Sequence, residues 1–377
     1  MRKRQPFLYI LLGIILAFGL AEGQKIKTVD GVTVISNGKK PYPVKGQPSK
    51  IVLTEELTVG SGDNPDESFS QVGTLVVDNK GSIFALDFKD QKVKVFDRTG
   101  KFLRSIGKPG QGPGELGMAT GIQLGADNTL IIEDATNRRL AQFKPTGEFI
   151  KNISTADKLG LVNIVFDGQG NALGREMGLA ENNTEMFFEI KKFNPELKAL
   201  FTLDKIAFPV PIPGSGVKMN VLDLISVYQF GPGGEIYYGR NANYEIKIYN
   251  PEGKLVRAIQ KEYDPVKVTQ KDIDEMLERI PNTAGAANIK DMFSFPDKFP
   301  PFQNFILDDQ GRMFVRTYTK GKEKGEYAVD VFDPEGRFIV QFITKADLRL
   351  IRAGQAYGIE ESEDGYQVVK RYTISME

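Results

Sequence analysis

The chain has 377 residues with no cysteine, no histidine and no tryptophan, and its 49 Lys and Arg balance 49 Asp and Glu. Without histidine there is no Ser-His-Asp or Cys-His nucleophile system, no imidazole base and no His-ligated zinc or iron. The neutral balance gives no footing for a nucleic-acid or polyanion partner, and a WD-type repeat lacks its signature tryptophan.

In chain order, Arg2, Lys3 and Arg4 precede an apolar run from Phe7 to Ala21, and Ala21-Glu22-Gly23 supplies small residues at signal-peptidase spacing. The run is short for a membrane span, so residues 1–23 read as a cleaved signal peptide that leaves no membrane anchor. No cysteine follows it to carry a lipid. The expectation is an exported, periplasmic or secreted protein, with an extension over residues 24–49 and a repeat domain over 50–377.

The repeat is visible as two near-copies, LVVDNKGSIFALDFKDQKVKVFDRTGKFL at 75–103 and IQLGADNTLIIEDATNRRLAQFKPTGEFI at 122–150. Gly81 and Asn128 stand 47 positions apart, as do Gly100 and Gly147. Each unit opens on an acidic or glycine turn: Asp78–Gly81, Gly125–Asn128, Asp167–Gly170, Gly231–Gly234, Asp308–Gly311 and Glu363-Asp364-Gly365. A β-type run follows every one, so six units are expected. About twenty residues later comes a second turn, as in Phe96-Asp97-Arg98-Thr99-Gly100 and Phe332-Asp333-Pro334-Glu335-Gly336. Asp and Asn mimic a backbone turn there, Pro sets φ, and Gly supplies the left-handed position.

Two hairpins per unit make four short antiparallel strands, a to d. Such a unit cannot bury both faces alone and must stack on its neighbours. The fold class is therefore all-β, a six-bladed β-propeller of four-stranded antiparallel blades with a small helical insertion between blades. The last unit ends after its inner strands, and a strand near Lys50–Gly60 is expected to complete it and remove the open edges.

The wording resembles NHL-type repeats and, more narrowly, a bacterial family of exported six-bladed propellers. The resemblance rests on Val77-Asp78, Ala85-Leu86-Asp87, Val95-Phe96-Asp97, the loop Ile106–Leu116 and Phe299-Pro300-Pro301-Phe302. It implies the fold over roughly residues 50–375, and a binding or scaffold role with no defined ligand. Metal-dependent lyases on NHL propellers use histidine ligands, which this chain lacks.

Tight a–b and c–d turns belong to one face of a propeller, and d–a and b–c connections to the other. The long segments Ser105–Thr120, Asp204–Tyr228 and Glu262–Asn304 are d–a connections, so the binding face is expected on their side. The loop at 107–116 lacks the Gly-Lys-Ser/Thr ending of a phosphate cradle and reads as a crossover. Within the 262–304 insertion, Thr269 caps a helix reaching Ile280 and Pro281 stops it, with Ile273, Met276, Leu277 and Ile280 on one apolar face. Phe293, Phe295, Phe299 and Phe302 then sit among prolines as core cover or ligand platform.

Counting six residues from each opening turn puts Asp87, Asp134, Glu176, Arg240, Thr317 and Arg371 at the strand-b ends, with Arg175 and Arg316 one position earlier. Arginines at this level can fork onto a carboxylate, phosphate or acidic sugar. The candidate ligand-binding residues are thus Arg175, Arg240, Arg316, Arg371, Phe299 and Phe302. Asp87 and Asp134 read first as acceptors for loop amides. The leading expectation is a monomeric, non-enzymatic binding or scaffold propeller, with no cofactor, that takes a peptide, glycan or protein partner on the insertion face. The alternative is a hydrolase or lactonase-like enzyme with Ca²⁺ held by Asp87, Asp134 and Glu176.

Overall fold

The paired-turn units form antiparallel sheets, and the computed structural model arranges six of these around one axis. It describes residues 24–61, 64–125, 127–181, 185–210, 216–240, 242–278 and 292–377. Blade 1 spans 72–106, blade 2 119–154, blade 3 162–209, blade 4 226–261 and blade 5 302–344. Blade 6 draws strands a to c from 347–376, and its strand d is Ile51–Val59, paired antiparallel with Gln367–Met376. The first strands touch in chain order, and that of blade 6 meets that of blade 1, so the ring closes. This is the completion that the unfinished last unit predicts.

The turns do the work their composition assigns. Asp78 Oδ1 accepts from the amides of Lys80 and Ser82, and Gly81 takes φ 81°. Asp167, Asn194, Asn250, Asp308 and Asp333 use a side-chain oxygen in the same way. In blades 1 to 5 the register of the c–d pair shifts at the turn aromatic (Phe96, Phe143, Phe193, Tyr249 and Phe332), a bulge that twists the strands.

The core is divided among the seams. Phe84, Leu86 and Val95 of blade 1 pack with Leu130, Ile132 and Phe143 of blade 2. Tyr237 and Ile246 of blade 4 pack with Phe302, Val315 and Phe338 of blade 5. Each of the six buried apolar clusters spans one blade-to-blade junction.

Two features differ from the sequence expectation. The opening turn of blade 6 is Ala353-Gly354, between strands Asp347–Arg352 and Gln355–Glu361, whereas Glu363-Asp364-Gly365 joins strands b and c. Its acidic-glycine composition imitates an a–b turn, and the error moves the strand-b end from Arg371 to Glu360. The 24–49 extension, moreover, forms a hairpin, Gln24–Val29 with Val32–Asn37, whose second strand adds parallel to the outer strand of blade 4. Buried Asn37 locks it there: its Nδ2 donates to the carbonyls of Gln260 and Gly336, and its Oδ1 accepts from the Phe338 amide. Residues 1–23 and the helix end at Ile280–Pro281 lie outside the described residues. Among the described residues no helix is long and apolar enough to cross a membrane.

Candidate functional site

The second and third long insertions meet. Met219–Asn220 pairs in parallel with Phe293–Ser294, tying the blade 3–4 connection to the blade 4–5 connection on the insertion face. The latter is braced internally by Val268 N donating to Asp297 O and Phe299 N donating to Val266 O. Its helix, Gln270–Glu278, starts as predicted: Thr269 N and Oγ1 donate to Asp272 Oδ2, and the Asp272 amide donates back to Thr269 Oγ1. Lys320 of blade 5 donates to Asp272 Oδ1 at 2.6 Å and anchors the helix to the ring. Burial pushes the Asp272 carboxyl up, but the bonds from Lys320 and Thr269 outweigh it and hold the group below the usual carboxylate range. Ile273, Met276 and Leu277 are half-buried.

Beneath this bridge lies a cavity of about 420 Å³ walled by Phe208, Pro209, Leu222, Tyr263, Pro296, Phe299 and Pro300, with Asn220, Asp223, Arg240 and Lys298 as its polar groups. Arg240 is exposed and makes no ion pair among the described residues. Phe299 stacks on Tyr318 at 4.4 Å and 12° between planes, so it is a rigid wall. Phe302 is completely buried in the blade 4–5 core and does not line the cavity.

Arg175 reaches this site indirectly. Its guanidinium lies 4.2 Å over the Phe188 ring, which stacks at 4.9 Å on the cavity wall Phe208. Its Nε is buried with no hydrogen-bond partner, as is Ser226 Oγ at the start of blade 4. Burial pulls the Arg175 pKa down, against the pull of Tyr228 and Glu133. Glu133 is itself raised by burial, although Thr120 Oγ1 and the amides of Asn163 and Ile164 donate to it.

The remaining candidates lie elsewhere, and the four arginines do not form one cluster. Arg316 donates to Ala346 O at 2.7 Å and lies over Tyr327, holding blade 5 to blade 6. Arg371 lines a cavity of the opposite face, built from a–b and c–d turns. There its Nη1 donates to Arg98 O at 2.7 Å, the carbonyl of the next blade's c–d turn. The same turn position accepts from the preceding blade at three more seams: Pro145 O from Arg104, Pro251 O from Lys192 and Pro334 O from Arg257. Arg371 is thus one of four blade staples, a pattern hidden from the sequence because donor and acceptor are far apart in the chain.

The acidic candidates are separated too. Asp87 accepts from the amides of Ser70, Gln71 and Asp90, and buried Lys94 stands 3.4 Å away. Asp134 accepts from the amides of Gly117 and Met118, from Asn137 and from Arg139. Glu176 pairs with Lys191 at 2.9 Å. Among the described residues no three acidic side chains are grouped to hold a metal ion, because each of these carboxylates fastens its own blade. The glycine-rich loop turns its carbonyls inward, with Gln111, Gly112 and Glu115 all accepting from Arg139.

A family profile described as a 6-bladed beta-propeller, DUF5128, matches residues 65–199. No curated protein matches the chain in sequence. Among solved structures, a protein of Bacteroides fragilis named as exported is similar with a TM-score of 0.57 and 11% identity, over 91% of this chain and 99% of that one. A member of the duf4221 family from Bacteroides vulgatus is similar at 0.53 and 11%, over 88% of this chain and 100% of that one. A gluconolactonase from Xanthomonas campestris reaches a TM-score of 0.46 at 10% identity, over 88% and 98%. At these identities the likeness to the two Bacteroides proteins shows the fold alone.

Proposed function

We propose that this chain is an exported, monomeric binding propeller of NHL type that takes a short peptide segment with an acidic group in the cavity beneath the bridged insertions. The observation that carries the reading is Arg240: a cation with no ion pair among the described residues, at a cavity walled largely by apolar side chains, rings and prolines, with Asn220, Asp223 and Lys298 as its other polar groups. Apolar walls with a few placed polar groups are the usual composition of a ligand site. Arginine presents a fork that matches a carboxylate. Proline and stacked rings are already rigid, so little ordering entropy opposes binding. Export is supported by the basic and apolar opening residues.

The test is a displayed peptide library panned against the mature chain, with recovered peptides measured by calorimetry against wild type and Arg240→Ala. Arg240 is exposed, so its loss should leave thermal stability unchanged. Peptides that carry an essential Asp, Glu or C-terminal carboxylate and bind the variant at least ~10-fold more weakly, about 1.4 kcal/mol, support the reading. Recovered peptides that bind both proteins equally would overturn it.

A further inference from the structure

The face opposite the insertions holds a larger cavity, about 780 Å³, at the seam where the first and last blades meet. Four cationic side chains line it: Lys80 and Arg98 from the two turns of blade 1, Arg352 from the end of blade 6's first strand, and Arg371 from its strand c. The lining contains one carboxylate, Asp78, whose Oδ1 is taken up by the amides of Lys80 and Ser82. Arg371 is committed to Glu56 at 3.2 Å and to Arg98 O. Arg352 donates to the neutral Asn79 Oδ1 at 2.8 Å, and Lys80 and Arg98 have no ion pair among the described residues. Three cations with no ion pair among the described residues therefore share one concavity with a single carboxylate, in a chain whose formal net charge is zero. Composition does not impose such a concentration of one sign.

We propose that this seam cleft is a binding site for a small multivalent oxyanion, a molecule carrying two or more carboxylate, phosphate or sulfate groups. Like charges gathered in a concavity raise the local concentration of counter-ions and repel one another until one is bound. Two guanidinium forks and an ammonium at separate points of the rim fit several oxyanion groups better than a single one. The position has a second consequence. Lys80 and Arg98 belong to blade 1 and Arg352 to blade 6, so an occupant bridges the junction completed by Ile51–Val59. A ligand that binds only the closed ring raises the apparent stability of that closure.

The experiment is calorimetric titration of the mature chain at low salt with tripolyphosphate and, separately, with citrate. It is repeated with Arg98→Ala, with Arg352→Ala, and with Lys151→Ala, an exposed cation on the outer strand of blade 2, as the control. The expected result is saturable one-to-one binding of at least one probe, weakened by added salt, and a rise in Tm with ligand. Each seam variant should lose at least tenfold in affinity while Lys151→Ala loses none. Preference for tripolyphosphate points to phosphate-type ligands, and preference for citrate to carboxylates. The proposal is overturned if neither probe binds saturably, or if folded seam variants bind as well as wild type. Arg98 and Arg352 are exposed, so the variants should fold, and a thermal melt without ligand checks it. Because the cleft and the peptide cavity share no residue, either site can fail its test without touching the other.

Discussion

At the scale of single residues, the acids at the strand-b ends are fasteners. Asp87 is fully buried, ties the d–a loop to its own blade through the amides of Ser70 and Gln71, accepts from Asp90 in the b–c turn, and faces a buried Lys94. Removing one partner of such a pair strands the other charge, which is far more costly than losing a surface ion pair. Asp87→Ala should therefore destabilise the protein by about 3–5 kcal/mol in urea unfolding at neutral pH. A loss below about 1 kcal/mol would show that Lys94 is adequately held by Asp90, 3.6 Å away, and by the carbonyls of Pro65 and Ser68. The identity of these acids was legible in the sequence, and so was their role toward loop amides. Arg371 was not, because its role depends on a carbonyl 273 positions away.

At the scale of elements, two attachments make distinct predictions. The insertion helix hangs on Asp272, which joins its N-terminal cap to Lys320. Its carboxyl is held below the usual range, so the stabilisation is fully present above the unfolded value and is lost as pH falls through the lower folded value. Limited proteolysis within 262–304 should accelerate as the medium is made acidic. Asp272→Ala should cleave quickly already at neutral pH, with about 1 kcal/mol of local stability lost; equal cleavage of the two proteins at neutral pH would remove Asp272 as the anchor. The N-terminal strands differ in kind. A chain beginning at residue 48 loses the hairpin outside blade 4 and the segment after it, where the Tyr42 amide donates to Phe338 O and Val44 packs on the blade 5–6 cluster, and should still unfold cooperatively at a lower Tm. A chain beginning at residue 64 loses Ile51–Val59, which leaves blade 6 with an open edge, and should aggregate. If that shorter chain melts cooperatively as a monomer, ring closure is dispensable.

At the scale of the whole molecule, the ring is only as uniform as its seams. Among the described residues the blade 3–4 seam gathers five buried apolar residues, whereas the blade 4–5 seam, with Ile35 of the N-terminal hairpin, gathers thirteen. The weaker seam also contains the unpartnered Arg175 Nε and Ser226 Oγ. Less apolar burial and unsatisfied polar atoms both lower the free energy of local opening. Hydrogen exchange should consequently be faster in Ser226–Phe230 than in Phe302–Leu307, the corresponding first strands of blades 4 and 5. The reverse order would mean that seam composition does not govern opening. The cavity beneath the bridged insertions takes walls from both sides of this seam, Phe208 of blade 3 and Arg240 of blade 4.

The sequence by itself determined the repeating unit, the six-fold count, the two faces and the need for a closing strand. Those properties follow from turn chemistry that one or two residues decide locally: Asp78 and Gly81 form their turn whatever lies across the ring. Tertiary structure alone decided which of the breaks in the pattern meet. It showed that Glu363-Asp364-Gly365 is not an opening turn, because only the pairing of Asp347–Arg352 with Gln355–Glu361 distinguishes the two turns of blade 6. It joined Met219–Asn220 to Phe293–Ser294 and divided the arginines between opposite faces. It also gathered Lys80, Arg98 and Arg352 into one cleft within a chain of balanced charge. Such encounters depend on how far the chain travels around the ring before it closes, a long-range condition that no local pattern records.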